Sequence, residues 1–388
     1  MTKVDPAERD VAPWPLPDGV RSRRVQTDTG LAMHLLEAGD PGQPLVLLLH
    51  GFPEVCYSWR RQLPVLAAAG WHVVAPDQRG YGLTTGWRGG YDDDLAPFRV
   101  PALVDDAAAL VRALGHRSAA ALIGHDAGAI VTGWAALLRP EVFGSAVMMS
   151  APFGGPPPLP VAPAPGQRSL HDDLAALPRP RKHYQWYYST AWADSDMRQA
   201  PQGLHAFLRA YFHMKSADWP GNDPRPLSGW NAEALATMPT YYIMDLDDDM
   251  PAAVATAMPS AAQVAANRWL TDADLAVYVE AFERNTFQGA LNWYRCMTGE
   301  AELAELARHA GRTIDVPAMF IGGRQDWGIY QKPGSIERMR DVACTRYEGT
   351  QLIEGAGHWV QQEQAEAVNR LLLDFLARRR GGTATGSA

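Results

Sequence analysis

Five times this chain runs through a short apolar stretch and stops at a glycine or a polar residue, with helical patterns between the stops. The runs are Pro44–Leu49, His72–Asp77, Ala119–Ile123, Ala146–Ser150 and Pro317–Gly322. The helical patterns are Trp59–Ala69, Pro101–Leu114, Ala129–Leu138 and Glu363–Arg378. Unbroken apolar runs suit strands buried on both faces, and parallel neighbours need a helical crossover between them. The expected fold is therefore α/β, with a mostly parallel, doubly wound sheet. Two β-rich segments, Arg24–Thr27 and Leu31–Glu37, precede it, parted by the turn signal Asp28-Thr29-Gly30. Sites in such sheets lie at the carboxyl ends of the strands, where His50, Asp77, Asp126 and Asp326 fall.

The alternation breaks after Ala151. A Pro/Gly-rich connector from Phe153 to Gly166 leads into a stretch rich in Trp, Tyr and Met that lasts to about Thr298. The reading is a core domain of residues 1–152 and 299–388, with residues 153–298 inserted as a helical cap. The first twenty or so residues, rich in proline, read as an arm lying over the core.

Composition narrows the function. No run of about eighteen apolar residues exists, so no membrane span is expected. Met1 to Asp10 lacks an apolar signal region, and three scattered cysteines form no CxxC pair. Together these point to a cytoplasmic protein with reduced thiols and no zinc site. Net charge is −8 without a basic cluster beyond Arg378-Arg379-Arg380, which argues against nucleic acid as a partner. The acidic runs Asp92-Asp93-Asp94 and Asp247-Asp248-Asp249 lack EF-hand spacing and read as solvated loops.

Gly124-His125-Asp126-Ala127-Gly128 joins an apolar strand to an apolar helix. Glycines on both sides allow a strained turn, which pushes the apex side chain out where it can attack. In the G-x-S-x-G version of this elbow the nucleophile is serine; here it would be Asp126. Alone, the pentapeptide arises by chance in roughly one such chain in ten, and it equally describes a helix-capping Asp. Three further segments decide. Gly322-Gly323-Arg324-Gln325-Asp326 sets a second acid just past a late strand. Gly355-Ala356-Gly357-His358-Trp359 sets a histidine before the last helix. The order nucleophile, acid, histidine is that of α/β-hydrolases. His50-Gly51-Phe52-Pro53-Glu54 supplies backbone N–H groups for half of an oxyanion hole. His358 reads as the base and Asp326 as its orienting acid. The N–H groups of Phe52 and Ala127 read as the oxyanion hole, and His50 and His125 as structural.

With these residues the chain resembles the α/β-hydrolase epoxide hydrolases, notably the hydrolase domain of the soluble enzymes, from about Arg24 to Leu376. His50-Gly51-Phe52-Pro53 is similar to the family's HGxP loop, which implies a cis Pro53. His183-Tyr184-Gln185-Trp186-Tyr187-Tyr188 resembles its first ring-opening tyrosine motif and implies that role for Tyr184, with Tyr187 the nearest competitor. Phe287-Gln288-Gly289-Ala290-Leu291-Asn292-Trp293-Tyr294-Arg295 resembles the second and implies Tyr294. One departure concerns the elbow: the family usually carries GHDWG, and this chain has Ala127. The change keeps the backbone N–H and should widen the pocket beside Asp126.

The resemblance implies conversion of an apolar aryl or alkyl epoxide to a vicinal diol, with water as co-substrate and no metal or organic cofactor. Phe52 and Trp186 are expected to contact the substrate, and Tyr187, Tyr188, Trp192 and Met214 to make the cap apolar. The runner-up is a haloalkane or haloacid dehalogenase with the same Asp nucleophile, for which no halide-holding indole is evident. A cap–cap homodimer is compatible with the sequence but not required by it.

Overall fold

In the computed structural model, residues 14–159 and 168–380 are described. The Pro163–Gly166 part of the expected connector and the first thirteen residues of the expected arm lie outside them. Strands β1 (Arg21–Gln26), β2 (Ala32–Ala38), β3 (Leu45–Leu49), β4 (His72–Pro76), β5 (Ala119–His125) and β6 (Ala146–Met149) come first. After β7 (Arg181–His183) and β8 (Ile243–Asp245) follow β9 (Ala318–Gly323) and β10 (Tyr347–Ile353). Eight of them form one sheet in the order β1-β2-β4-β3-β5-β6-β9-β10. From β4 to β10 the neighbours are parallel, while β1 and β2 run antiparallel at one edge. The doubly wound parallel sheet is thus as expected.

β3 and β4 are buried at every residue, which is why they read as pure apolar runs. β10 was not legible: Tyr-Glu-Gly-Thr-Gln-Leu-Ile is half-buried throughout because it closes the far edge. The helix expected over Trp59–Ala69 is two pieces, a 3-10 turn at Cys56–Trp59 and α1 (Leu63–Ala68), with Pro64 opening the second. α2 spans Val100–Ala113 and α3 spans Ala127–Leu138. α3 begins two residues earlier than the apolar pattern suggested, so Asp126 is its immediate N-terminal flank.

Between β6 and β9 lie the helices Tyr184–Tyr188, Leu204–Lys215, Asp272–Asn285 and Gln288–Met297, among others. This stretch is not wholly helical, because β7 and β8 pair antiparallel within it. Three residues each, with Arg181-Lys182-His183 on one strand, were too short and polar to signal a strand. The stretch closes onto the carboxyl ends of the sheet through aromatic contacts: Phe52, just after β3, meets the rings of Tyr188, Tyr294 and Phe287 at 5.1, 5.4 and 6.1 Å. The indole N–H of Trp293 donates to the carbonyl of Arg79 on the core side at 3.0 Å. Trp14, at the inner end of the arm, packs edge-on against His34 at 5.3 Å.

Candidate active site

Asp126 sits at φ 51° and ψ −116°, a conformation few L residues adopt. The turn is tight enough that a Cβ on Gly124 would lie 2.2 Å from the Gly128 carbonyl oxygen, and one on Gly51 would lie 2.4 Å from Asp126 Cβ. With a Cβ on Gly128 2.4 Å from the Leu49 carbonyl oxygen, glycine is required on both sides of the apex and in the loop facing it. The outcome is a carboxylate at the head of α3, its side chain 14% exposed, aimed at the loop after β3. Its Oδ1 accepts the backbone N–H of Phe52 at 3.0 Å, and Phe52–Pro53 is the cis bond that the loop motif implied.

The other oxygen, Oδ2, lies 3.3 Å from Nε2 of His358. On its far side, His358 Nδ1 lies 3.2 Å from both oxygens of Asp326. Asp326 also accepts the N–H of Gly328 at 2.6 Å, which locks its carboxylate plane. Nε2 has no well-directed hydrogen bond among the described residues, so it remains free to engage a small molecule beside Asp126. Burial disfavours charge on Asp126, but the close approach and charge of His358, then Lys215 and His125, outweigh it. Its carboxyl is held well below the usual carboxylate range.

The residues read as structural are knitted beneath this group. His125 Nδ1 is 2.6 Å from Glu54 Oε2, and its Nε2 donates to the His358 carbonyl at 2.7 Å. Glu54 also accepts the N–H of Gly51 at 3.0 Å and the side-chain amides of Gln361 and Gln362 at 3.0 and 2.9 Å. His50 is fully buried, and its Nε2 accepts the N–H of Gln78 at 3.1 Å.

Tyr184 and Tyr294 come together above Asp126, their rings 6.0 Å apart and both buried. Burial first, then the negative charge of Asp126, pushes both phenols well above their ordinary value, so each stays neutral and able to donate. Tyr187 is directed elsewhere: its hydroxyl donates to Asp196 at 3.0 Å. Trp186, expected to contact substrate, makes its ring contacts with His171 and with His183, the latter at 5.3 Å. Trp192 is 58% exposed and adds nothing to an apolar chamber. Sequence reasoning missed Phe282 and Phe287, stacked at 4.3 Å, and Tyr211, 6.3 Å from Phe52. Their only signal was aromatic character in a stretch full of it.

His34, Cys56 and Asp77 bring three buried ligand atoms within 4.8 Å of one another. They are already tied together, with His34 Nδ1 2.7 Å from Asp77 Oδ2 and Asp77 accepting the N–H groups of Cys56 and Leu83 at 2.8 Å each.

The profile of the alpha/beta hydrolase fold family matches residues 44–365. Epoxide hydrolase B of Mycobacterium tuberculosis is 34% identical over 369 residues, covering 91% of this chain and 97% of that one. The chain belongs to the epoxide hydrolases of the α/β-hydrolase fold. Epoxide hydrolase A of the same organism is 32% identical over 92% of this chain and 98% of its own length. Among solved structures, an epoxide hydrolase from an endophytic Streptomyces superposes with a TM-score of 0.71 at 32% identity, covering 94% of this chain and 97% of that chain. Epoxide hydrolase A from Mycobacterium thermoresistibile gives 0.72 at 32% identity, covering 92% and 98%. Ala127 borders a small, mostly apolar pocket with Phe98, Val100, Ile130, Trp293, Met297 and the carboxyl of Glu302. In described residues no helix is long and apolar enough to cross a membrane.

Proposed function

We propose that this epoxide hydrolase converts an apolar aryl or alkyl epoxide to a vicinal diol through a covalent ester on Asp126. Residues 153–298 act as the cap on a core of residues 1–152 and 299–388. The observation that supports this most is the division of labour on one carboxylate: Phe52 N–H at 3.0 Å on Oδ1, and His358 at 3.3 Å from Oδ2.

An epoxide is strained, but its leaving group is an alkoxide, so opening needs a nucleophile and a proton donor on opposite sides. Asp126, ionised without help from a base, attacks one ring carbon. The C–O bond breaks, and Tyr184 and Tyr294 hydrogen-bond and protonate the alkoxide from the cap, the tyrosinate so formed regaining its proton from solvent. His358, oriented by Asp326, then takes a proton from water, which attacks Cγ of the ester. The oxyanion is held by the N–H groups of Phe52 and Ala127; as the ester bond to the diol breaks, the diol oxygen takes the proton from His358 and the acid left on Asp126 gives its proton up to solvent. Asp suits the apex because the intermediate is hydrolysed at the enzyme's own carbonyl. Tyr suits the cap because the donor must be neutral. No step calls for a metal or organic cofactor.

The test is a single turnover of styrene oxide in water enriched in heavy oxygen, with enzyme in excess. A first-turnover diol with ordinary oxygen, and label appearing in Asp126, is expected. A heavy first-turnover diol would mean direct attack by water. No diol, with chloride released from haloalkanes, would favour the dehalogenase reading.

A further inference from the structure

Helix Leu204–Lys215 ends in a lysine whose side chain the proposed chemistry leaves unused, although it is only 3% exposed. Its Nζ lies over the rings of Tyr242, Tyr211, Trp359 and Tyr241 at 4.9, 5.2, 5.4 and 6.0 Å. No carboxylate stands within ion-pair distance of it among the described residues. Ring faces attract a cation by about 0.5–2 kcal/mol each, which stops short of replacing the water an ammonium loses on burial. Something anionic beyond contact must help to hold it.

The cage walls show where that anion is. Trp359 follows His358, and the His358 N–H donates to the Lys215 carbonyl at 2.9 Å. Gly357 lies so close that a Cβ there would be 2.6 Å from the same carbonyl oxygen. Tyr242 packs on Tyr184 at 5.1 Å, and Tyr211 on Phe52 at 6.3 Å. The lysine is therefore separated from the catalytic chamber by one layer of rings, and its charge acts on Asp126. The other acids near the cage are committed. Asp326 holds His358, and Glu363 accepts the N–H groups of Ala217, Gly357 and Trp359 at 2.8–2.9 Å.

We propose that Lys215 is a positioning residue that acts through Asp126: its caged ammonium is the counter-charge of the Asp126 carboxylate and drives the ester intermediate on to hydrolysis. The inference rests on the covalent reading above. When Asp126 is alkylated and the tyrosinate has regained its proton from solvent, the chamber has lost its negative charge and the ammonium is left buried without a counter-charge. Water attack restores the balance at once: a bond forms from water oxygen to Cγ, the proton passes to His358, and negative charge returns to the carbonyl oxygen. The C–O bond to the diol then breaks, the diol oxygen takes the proton from His358, and the acid left on Asp126 releases its proton to solvent, which regenerates the carboxylate. Lys215 thus disfavours the ester relative to both the oxyanion after it and the free enzyme.

The experiment is rapid-quench turnover of styrene oxide by the full chain, with the ester on Asp126 weighed by mass spectrometry. The variants are Lys215→Met, Lys215→Gln and Lys215→Arg, each checked by thermal melting. In the wild type the ester should be a minor steady-state species. In the Met and Gln variants hydrolysis should slow about tenfold, the effect of a unit charge at ~10 Å in an effective dielectric of ~20. Ring opening should hold its rate there, so the ester becomes the main species, and Arg should restore the wild-type partition. Two neutral variants guard against one that fails to fold. If either folded neutral variant keeps the wild-type ester fraction, or Arg behaves like Met, the proposal is overturned. A wild type that forms no ester at all defeats the Asp126 reading itself, which is a different result.

Discussion

Nε2 of His358 stands 3.3 Å from Oδ2 of Asp126 without a well-directed hydrogen bond, while its Nδ1 is 3.2 Å from both oxygens of Asp326. The imidazole is thus oriented from behind and left open in front. In the proposed mechanism a base placed this way serves the step after Asp126 has been alkylated, not the alkylation itself.

The two half-reactions should therefore separate on mutation. His358→Gln is expected to open epoxide and stop at the ester, with turnover down at least ~100-fold, the usual scale of a general base. Asp326→Asn should slow the same half while the fold is kept. Mass spectrometry of the quenched enzyme reads the result. An unmodified Asp126 in His358→Gln, with turnover lost, would mean that His358 acts before the covalent step.

Tyr184 and Tyr294 pack together with rings 6.0 Å apart, and each is kept neutral by burial and by the charge of Asp126. One donor removed from such a site typically costs ~3–4 kcal/mol, but the remaining phenol shares the alkoxide. Tyr184→Phe and Tyr294→Phe should each slow ring opening by about tenfold to a hundredfold, and the double change should nearly abolish it. Tyr187→Phe should leave ring opening unchanged, because that hydroxyl is spent on Asp196. Single-turnover ring opening measures all four, and equal rates in the singles and the double would remove the tyrosines from the mechanism.

How much of this was legible depends on how locally each feature is encoded. The central strands were clear because burial on both faces leaves no polar residue in β3 and only His72, at the start, in β4. Asp126, Asp326 and His358 were legible because each sits in a glycine-bounded turn after a strand or before a helix. β10 was hidden by its edge position and β7–β8 by their length. The chamber wall was the least readable part. Phe282, Phe287 and Tyr211 are set by how the cap helices cross, so no spacing in the chain distinguishes them from exposed Trp192.

Glu54 and His125 form a fully buried pair under the elbow, 2.6 Å apart. Burial pushes the Glu54 carboxyl up, but the charge and hydrogen bond of His125 and the Gly51 N–H outweigh it and bring it down to about 2. A depressed acid contributes stability that is present above its unfolded value, near ~4.3, and is lost as pH falls toward 2. His125 has the opposite sign: burial lowers it, Glu54 raises it more, and the net is a raised value. Its contribution is full below ~6.5 and is lost as pH rises through that raised value. Melting temperature should therefore drop steeply below about pH 4.3. Glu54→Gln should cost ~3–5 kcal/mol near neutrality by leaving a buried partner unpaired, and it should flatten the acid limb. An unchanged melting curve across that range would show that the pair carries no net stability.

Ala127 supplies an oxyanion-hole N–H in the proposed mechanism, while its methyl faces the pocket of Phe98, Val100, Ile130, Trp293 and Met297. Backbone and side chain at this position therefore do separable work. Ala127→Trp keeps the N–H where the helix start holds it, and the indole adds bulk at the residue next to the nucleophile. Hydrolysis of a pre-formed ester should be little changed, because it depends on the N–H and on His358. Acceptance of bulk should change. The rate constant kcat/KM for an epoxide with a bulky aryl arm should fall about tenfold or more, the scale of a few lost or clashing methylenes in an apolar pocket. A small alkyl epoxide should keep its rate within a few-fold. Comparing the two substrates on one variant removes any general loss of folded enzyme, since that lowers both alike. If both fall together while the variant melts normally, the pocket beside Ala127 lies outside the substrate's reach and its width has no part in specificity.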